Sequence, residues 1–214
     1  GFCGDDVFAV KTTSADARLQ GSSNITVRDC VVMTRKTAFK IGTETRKDVS
    51  NVLLEDCEAI NSSRGIGLYV RDGGKVSGVQ YRNIKLDLKE YPGEESSGMP
   101  FRAEIRKREA VGSITGVTFE GLSVNSTCGS TLIGLPESQI KDVSFKNCKM
   151  QVRDRSLKFN TEPLFTLTHC DGLVFDGCSV EWMTGQDYLW SGLVEQEQCS
   201  SVKLDGLAEQ RTNQ

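Results

Sequence analysis

The chain has 214 residues, with 26 Lys and Arg against 29 Asp and Glu, one His and 8 Cys. The formal charge of −3 gives no electrostatic basis for a nucleic-acid partner, and no apolar run reaches the ~18 residues of a membrane-inserted helix. A single histidine excludes multi-His metal centres, and no CxxC pair suggests zinc, so neither metal nor cofactor is expected.

Read in chain order, seven segments repeat one pattern: apolar, polar, apolar, polar, then Asp, Asn or Gly, then Cys or an aliphatic residue. They begin at Ile25, Val52, Val79, Val117, Val143, Leu173 and Val202 and end at Cys30, Cys57, Ile84, Leu122, Cys148, Cys178 and Leu207. A further ladder runs three residues ahead, through Ser22, Val49, Val76, Ile114, Ile140, Cys170 and Cys199. Period-2 alternation over five or six residues marks a short half-buried strand. The Asp/Asn/Gly position suits a left-handed backbone, which those residue types adopt at least cost.

A second set of short strands is expected at Val7–Val10, Ala38–Ile41, Ile66–Tyr69, Phe101–Ile105, Thr131–Ile133, Leu164–Leu167 and Gly192–Val194. Units of about 29 residues that cannot cover their own apolar faces bury a core by stacking. The expected fold is therefore an all-β parallel β-helix of about seven coils, one domain over 1–214, with rungs about 4.8 Å apart. Neither end reads as a cap, so the chain is expected to be the C-terminal portion of a longer β-helix. The polar stretch after Gly206 is the one segment expected to be disordered.

Three cysteine pairs, Cys30/Cys57, Cys148/Cys178 and Cys170/Cys199, occupy matching positions of adjacent coils, within disulfide reach. Free buried thiols are expected for the first two pairs, while both states stay open for the third. His169 is expected at a coil corner. The 38-residue step between Ile84 and Leu122 holds an insertion, Lys89–Gly98, whose turn residues mark a surface loop that can wall a groove.

The sharpest chemical feature is Gly4-Asp5-Asp6, running into a strand whose Phe8 and Val10 face inward. That places Asp6, Ala9 and Lys11 on or near the outer face. Adjacent carboxylates repel, so one is expected to keep a proton near neutrality, as an acid/base pair requires. Farther along that face Arg102 and Glu104 point outward, three coils or about 14 Å from Asp6.

Together, Gly4-Asp5-Asp6-Val7, Arg64-Gly65-Ile66, Met99–Arg106, Gly112–Val117 and Ile133-Gly134-Leu135-Pro136 resemble glycoside hydrolase family 28, the polygalacturonases and their pectin-cleaving relatives. The resemblance implies a right-handed helix, a secreted monomer, a polysaccharide substrate and inverting hydrolysis, with Asp5 as general acid and Asp6 as a water-positioning carboxylate. It also implies a third Asp ahead of Gly1, so the chain alone is expected to turn over little. The family's Gly-His-Gly falls on Lys36-Thr37-Ala38, and its Arg-Ile-Lys falls on Gly67-Leu68-Tyr69. Thr37 and Tyr69 thus stand at substrate-binding positions, Tyr69 as a stacking face for a neutral sugar, with Lys40, Arg64 or Arg71 as replacement cations. A non-catalytic glycan-binding β-helix and a polysaccharide lyase are the alternative readings.

Overall fold

In a computed structural model, which describes residues 1–94, 96–153, 162–183 and 190–211, the chain is an all-β solenoid of about seven turns. Three parallel sheets run its length. The first has seven strands: Phe8–Thr12, Thr37–Thr45, Arg64–Val70, Met99–Ile105, Ser130–Ile133, Pro163–Thr168 and Gly192–Glu197. The second has six, from Ser22–Arg28 to Cys170–Asp176, and the third has eight, from Phe2–Cys3 to Leu207–Arg211. Each turn thus visits three sheets, one more than the two strands per unit that the repeat makes plain. The additional strands, such as Lys85–Leu88 and Ser123–Ser126, are four residues long and alternate charged or polar with buried positions.

The expected left-handed corner is present at Asp29, Asp56, Asn83, Gly121, Asn147 and Gly177, with φ between 52° and 66°. Gly206 departs from it. Its lack of a side chain serves a close approach, because a Cβ there would lie 2.2 Å from the Phe175 carbonyl oxygen. A second left-handed ladder, at Asn24, Asn51, Gly78, Gly116, Asp142, Gly172 and Ser201, falls inside the repeat. It turns the strand by one residue, so positions three apart, such as Val49 and Val52, both face the core.

The interior is aromatic. Tyr81, Phe119, Phe145 and Phe175 of the second sheet stack with centroids 5.1, 4.5 and 4.9 Å apart. Phe101 and Phe165 of the first sheet meet them at steep angles. Identical registers let each ring cover the next, which a lone turn could not do.

One expectation fails here, and one open question is answered. The stretch after Gly206 is ordered as far as Arg211, because Leu207–Arg211 pairs with Cys178–Met183. Glu209 accepts the Trp182 indole N–H at 3.2 Å, and Arg211 stands 5.6 Å from the Trp182 ring. The open question over Cys170/Cys199 resolves to thiols, since all eight cysteines are free. Burial pushes the Cys170 thiol up to about 12, with the adjacent Cys199 adding to it. His169 does occupy a corner, at φ 51°, between Pro163–Thr168 and Cys170–Asp176.

Candidate functional site

Of the binding and catalytic candidates, Lys40, Tyr69, Arg102 and Glu104 take outward positions on the first sheet. Phe39 and Ile41 point into the core, so Lys40 points out. Register then builds one outward-facing ladder: Ala9, Lys40, Gly67, Arg102, Thr131, Thr166 and Glu195. A neighbouring ladder carries Tyr69, Glu104, Ile133 and Thr168.

Asp5 and Asp6 lie at the turn that feeds Phe8–Thr12. The Asp5 carboxylate is exposed and accepts the Asp6 amide at 2.8 Å. The Asp5 carbonyl accepts the Thr34 hydroxyl, and Thr34 in turn accepts the Lys36 amide, which pins the turn to the adjacent rung. Asp6 is largely enclosed, with one oxygen 2.6 Å from the Lys40 ammonium and the other accepting the Thr37 amide at 3.1 Å. Burial is the largest single influence on the Asp6 carboxyl and pushes its pKa up. The Lys40 hydrogen bond and charge, with the Thr37 amide and hydroxyl, together outweigh burial and hold it below the ordinary carboxylate value. The expected retained proton is therefore not on Asp6; a cation within hydrogen-bonding reach wins over repulsion from its neighbour.

Thr37 is 2 % exposed and acts through Asp6 as its amide donor, so it offers no surface to a ligand. Arg64 is half-buried, in register between Thr37 and Met99. Tyr69 also differs from expectation. Its ring is no open platform, because the residue is 7 % exposed. Gly67 leaves a gap in the ladder between Lys40 and Arg102, and the Tyr69 ring folds into it: a Cβ on Gly67 would lie 2.5 Å from Tyr69 Cε2. Lys40, Arg71 and Arg102 then sit 5.5, 5.9 and 5.8 Å from the ring centroid. Burial pushes the Tyr69 phenol up, against the pull of Arg102 and Arg64.

Glu104 points outward as expected, yet it is 1 % exposed. Arg71, Arg102 and Arg106 close over it at 3.1, 2.8 and 2.6 Å. Arg106 carries a role that sequence reasoning missed, although the alternation Arg102-Ala103-Glu104-Ile105-Arg106 already puts acid and bases on one face. Cations thus reach Tyr69 from the rung before, from the strand's own continuation at Arg71, and from the rung after.

The Lys89–Gly98 insertion walls a groove of about 850 Å³ over the same face, with Met99, Arg102, Thr131, Ile133 and Thr166 among its lining residues. Its described residues reach back toward earlier rungs: Glu94 pairs with Lys36 at 2.7 Å, and the Tyr91 hydroxyl donates to the Asn61 carbonyl at 2.6 Å. Arg102 borders the groove; Asp5 and Asp6 do not. Among the described residues no group of three His, Cys, Asp or Glu side chains is arranged to hold a metal ion. No helix among them is long and apolar enough to cross a membrane.

The architecture and this face define the class: a parallel β-solenoid with a charged outer sheet. Compared with known proteins, the chain matches no protein-family model, no curated protein and no solved structure.

Proposed function

We propose that the chain is a carbohydrate-active β-helix that hydrolyses glycosidic bonds of an anionic polysaccharide laid along the outer face of its first sheet. The observation that supports this reading is the Asp6 carboxylate beside Lys40, on the face where Arg71 and Arg102 also gather, with Asp5 adjacent at the same turn. In this reading Asp6, ionised through Lys40 and Thr37, orients a water and takes its proton. The water oxygen bonds to the anomeric carbon as the glycosidic C–O bond breaks, the exposed Asp5 gives a proton to the departing oxygen, and the configuration at the anomeric carbon inverts. The resemblance of Gly4-Asp5-Asp6-Val7 and of the later segments to the polygalacturonase family supports these roles, as well as secretion and action as a monomer. The cation cluster favours an acidic glycan over the neutral sugar expected from Tyr69 alone.

Reducing-end release from a panel of anionic polysaccharides tests it, with protein concentration and incubation raised to read the low turnover expected of this chain. Asp5→Asn is expected to lower hydrolysis about 100-fold while leaving glycan binding intact. Turnover unchanged by that substitution removes the hydrolase reading, and an unsaturated, ultraviolet-absorbing product assigns elimination instead. A second reading, glycan binding without cleavage, is favoured by one observation: both Asp6 oxygens already have partners at 2.6 and 3.1 Å. Binding with no reducing-end release from either wild type or variant selects it.

A further inference from the structure

The rungs bearing Lys40, Tyr69 and Arg102 gather positive charge. Lys40 is matched by Asp6, while Glu104 pairs with Arg71, Arg102 and Arg106, four side chains with a surplus of two charges among themselves, and Glu90, Glu94 and Glu162 line the groove beside Arg102. The acid lies beneath and the guanidiniums above it: Glu104 is 1 % exposed, while the three arginine side chains are 28, 26 and 59 % exposed. The Nε atoms of Arg71 and Arg102 are buried without a hydrogen-bond partner. Three cations from three successive rungs also converge on one ring, each within 6 Å of the Tyr69 centroid. Like charges gathered so closely repel, and an anion among them relieves that repulsion.

We propose that this cluster receives a tetrahedral oxyanion ester, a sulfate or phosphate group carried by the glycan, in place of the planar carboxylate of a uronic acid. The inference rests on the reading of this face as an anionic-glycan surface. A carboxylate presents two oxygens in one plane, which a single guanidinium fork engages together. An ester sulfate or phosphate presents three terminal oxygens in three directions, which suits donors arriving from rungs about 4.8 Å apart. The surplus of two charges equals that of a phosphate monoester dianion, whereas one ester sulfate carries a single charge, as one uronate does, and is distinguished by the directions of its oxygens. Guanidinium, weakly hydrated and rigid, gives up its water for such a group more readily than ammonium does.

The test is calorimetric titration of the full chain at neutral pH with dextran sulfate, polygalacturonate and unmodified dextran, the two charged polymers matched in charge per sugar. Dextran sulfate is expected to bind about ten-fold more tightly than polygalacturonate, and dextran not measurably. Inorganic sulfate or phosphate is expected to displace it where acetate at equal ionic strength does not. Whichever displaces at lower concentration names the ester. Arg102→Gln and Arg106→Gln are each expected to cut the preference about three-fold. Lys75→Gln, on the second sheet, is expected to leave it unchanged. Arg106 is the most exposed of the three arginines, so its variant is expected to keep the fold, which thermal melting checks. Polygalacturonate binding as tightly as dextran sulfate overturns the ester and leaves the anionic-glycan reading standing. A preference preserved in both arginine variants overturns the location. Failure of both charged polymers to bind removes the anionic-glycan reading itself.

Discussion

Asp72 and Glu104 are both carboxylates shut away from water and both are held by arginine, yet the two assemblies differ in their arithmetic. Asp72 meets one guanidinium, Arg108, which forks onto both its oxygens at 2.7 Å, while the Thr45 amide adds a third bond at 3.0 Å. Thr45 also accepts the Arg71 amide, so the unit clasps the corner that leads from the first sheet to the second. Donors and charge come out even there. Glu104 meets three guanidiniums and leaves charge over. A balanced buried pair acts as a staple, and a surplus turned toward solvent is available to a ligand.

The largest expected effect breaks the staple. Asp72→Ala leaves the Thr45 amide and one side of Arg108 without an acceptor and is expected to cost about 3 kcal/mol in urea unfolding, with anionic-polymer binding unchanged. A loss of binding alongside would erase the distinction between the two assemblies.

Acid addresses the same contrast. The Arg108 fork, acting against burial, holds the Asp72 carboxyl below its ordinary value. Asp6 is lowered as well, Lys40 and Thr37 together outweighing burial. The folded chain therefore binds these protons less readily than the unfolded one. Their contribution to stability is complete above about pH 3.9 and drains away as pH falls through the lowered values. Urea midpoints followed downward from neutral pH are expected to drop in that window, and Asp72→Ala is expected to flatten the drop.

Gly67→Ala sharpens the other half. The new methyl meets the Tyr69 ring, so the ring must leave its gap and the cations around it must spread. The expected cost is about 1–2 kcal/mol, with weaker anionic-polymer binding measured by calorimetry. Stability lost without any change in binding would separate the ring from the charged cluster.

The smallest effect has the opposite sign. Ser130 is 1 % exposed, beside Phe165 in register, and its hydroxyl has no partner. It borders the groove beside Arg102 but its hydroxyl bonds to nothing there, so Ser130→Ala is expected to gain up to about 1 kcal/mol.

Much of this frame is legible in the chain, because stacking repeats one environment seven times and Val49, Val76 and Ile114 leave the same mark each time. The third sheet was less visible. In Lys85–Leu88 or Ser123–Ser126 two buried positions flank one outward residue, too few to establish a period. Asp6, Lys40, Arg102 and Glu104 emerge on the expected face, since alternation alone decides which way they point. What they touch was not legible, because contacts across rungs depend on the length of every intervening loop. Tyr69 is instructive in this respect. Its concealment follows from a glycine two residues earlier on the same face, a local signal that outweighed the aromatic's usual preference for packing on ligands.

The Lys89–Gly98 excursion disturbs the pairing around it only by a bulge between Leu86 and Leu88 against Glu58–Ser62: Leu86 still pairs with Val124, and Arg102 still pairs with Gly67. Its length is therefore decoupled from the scaffold, much as an interchangeable tool head is decoupled from its handle. Trimming or lengthening that one segment redraws the rim around Arg102 while the underlying lattice of hydrogen bonds stays as it is, so recognition in this architecture can diversify by insertion and deletion alone.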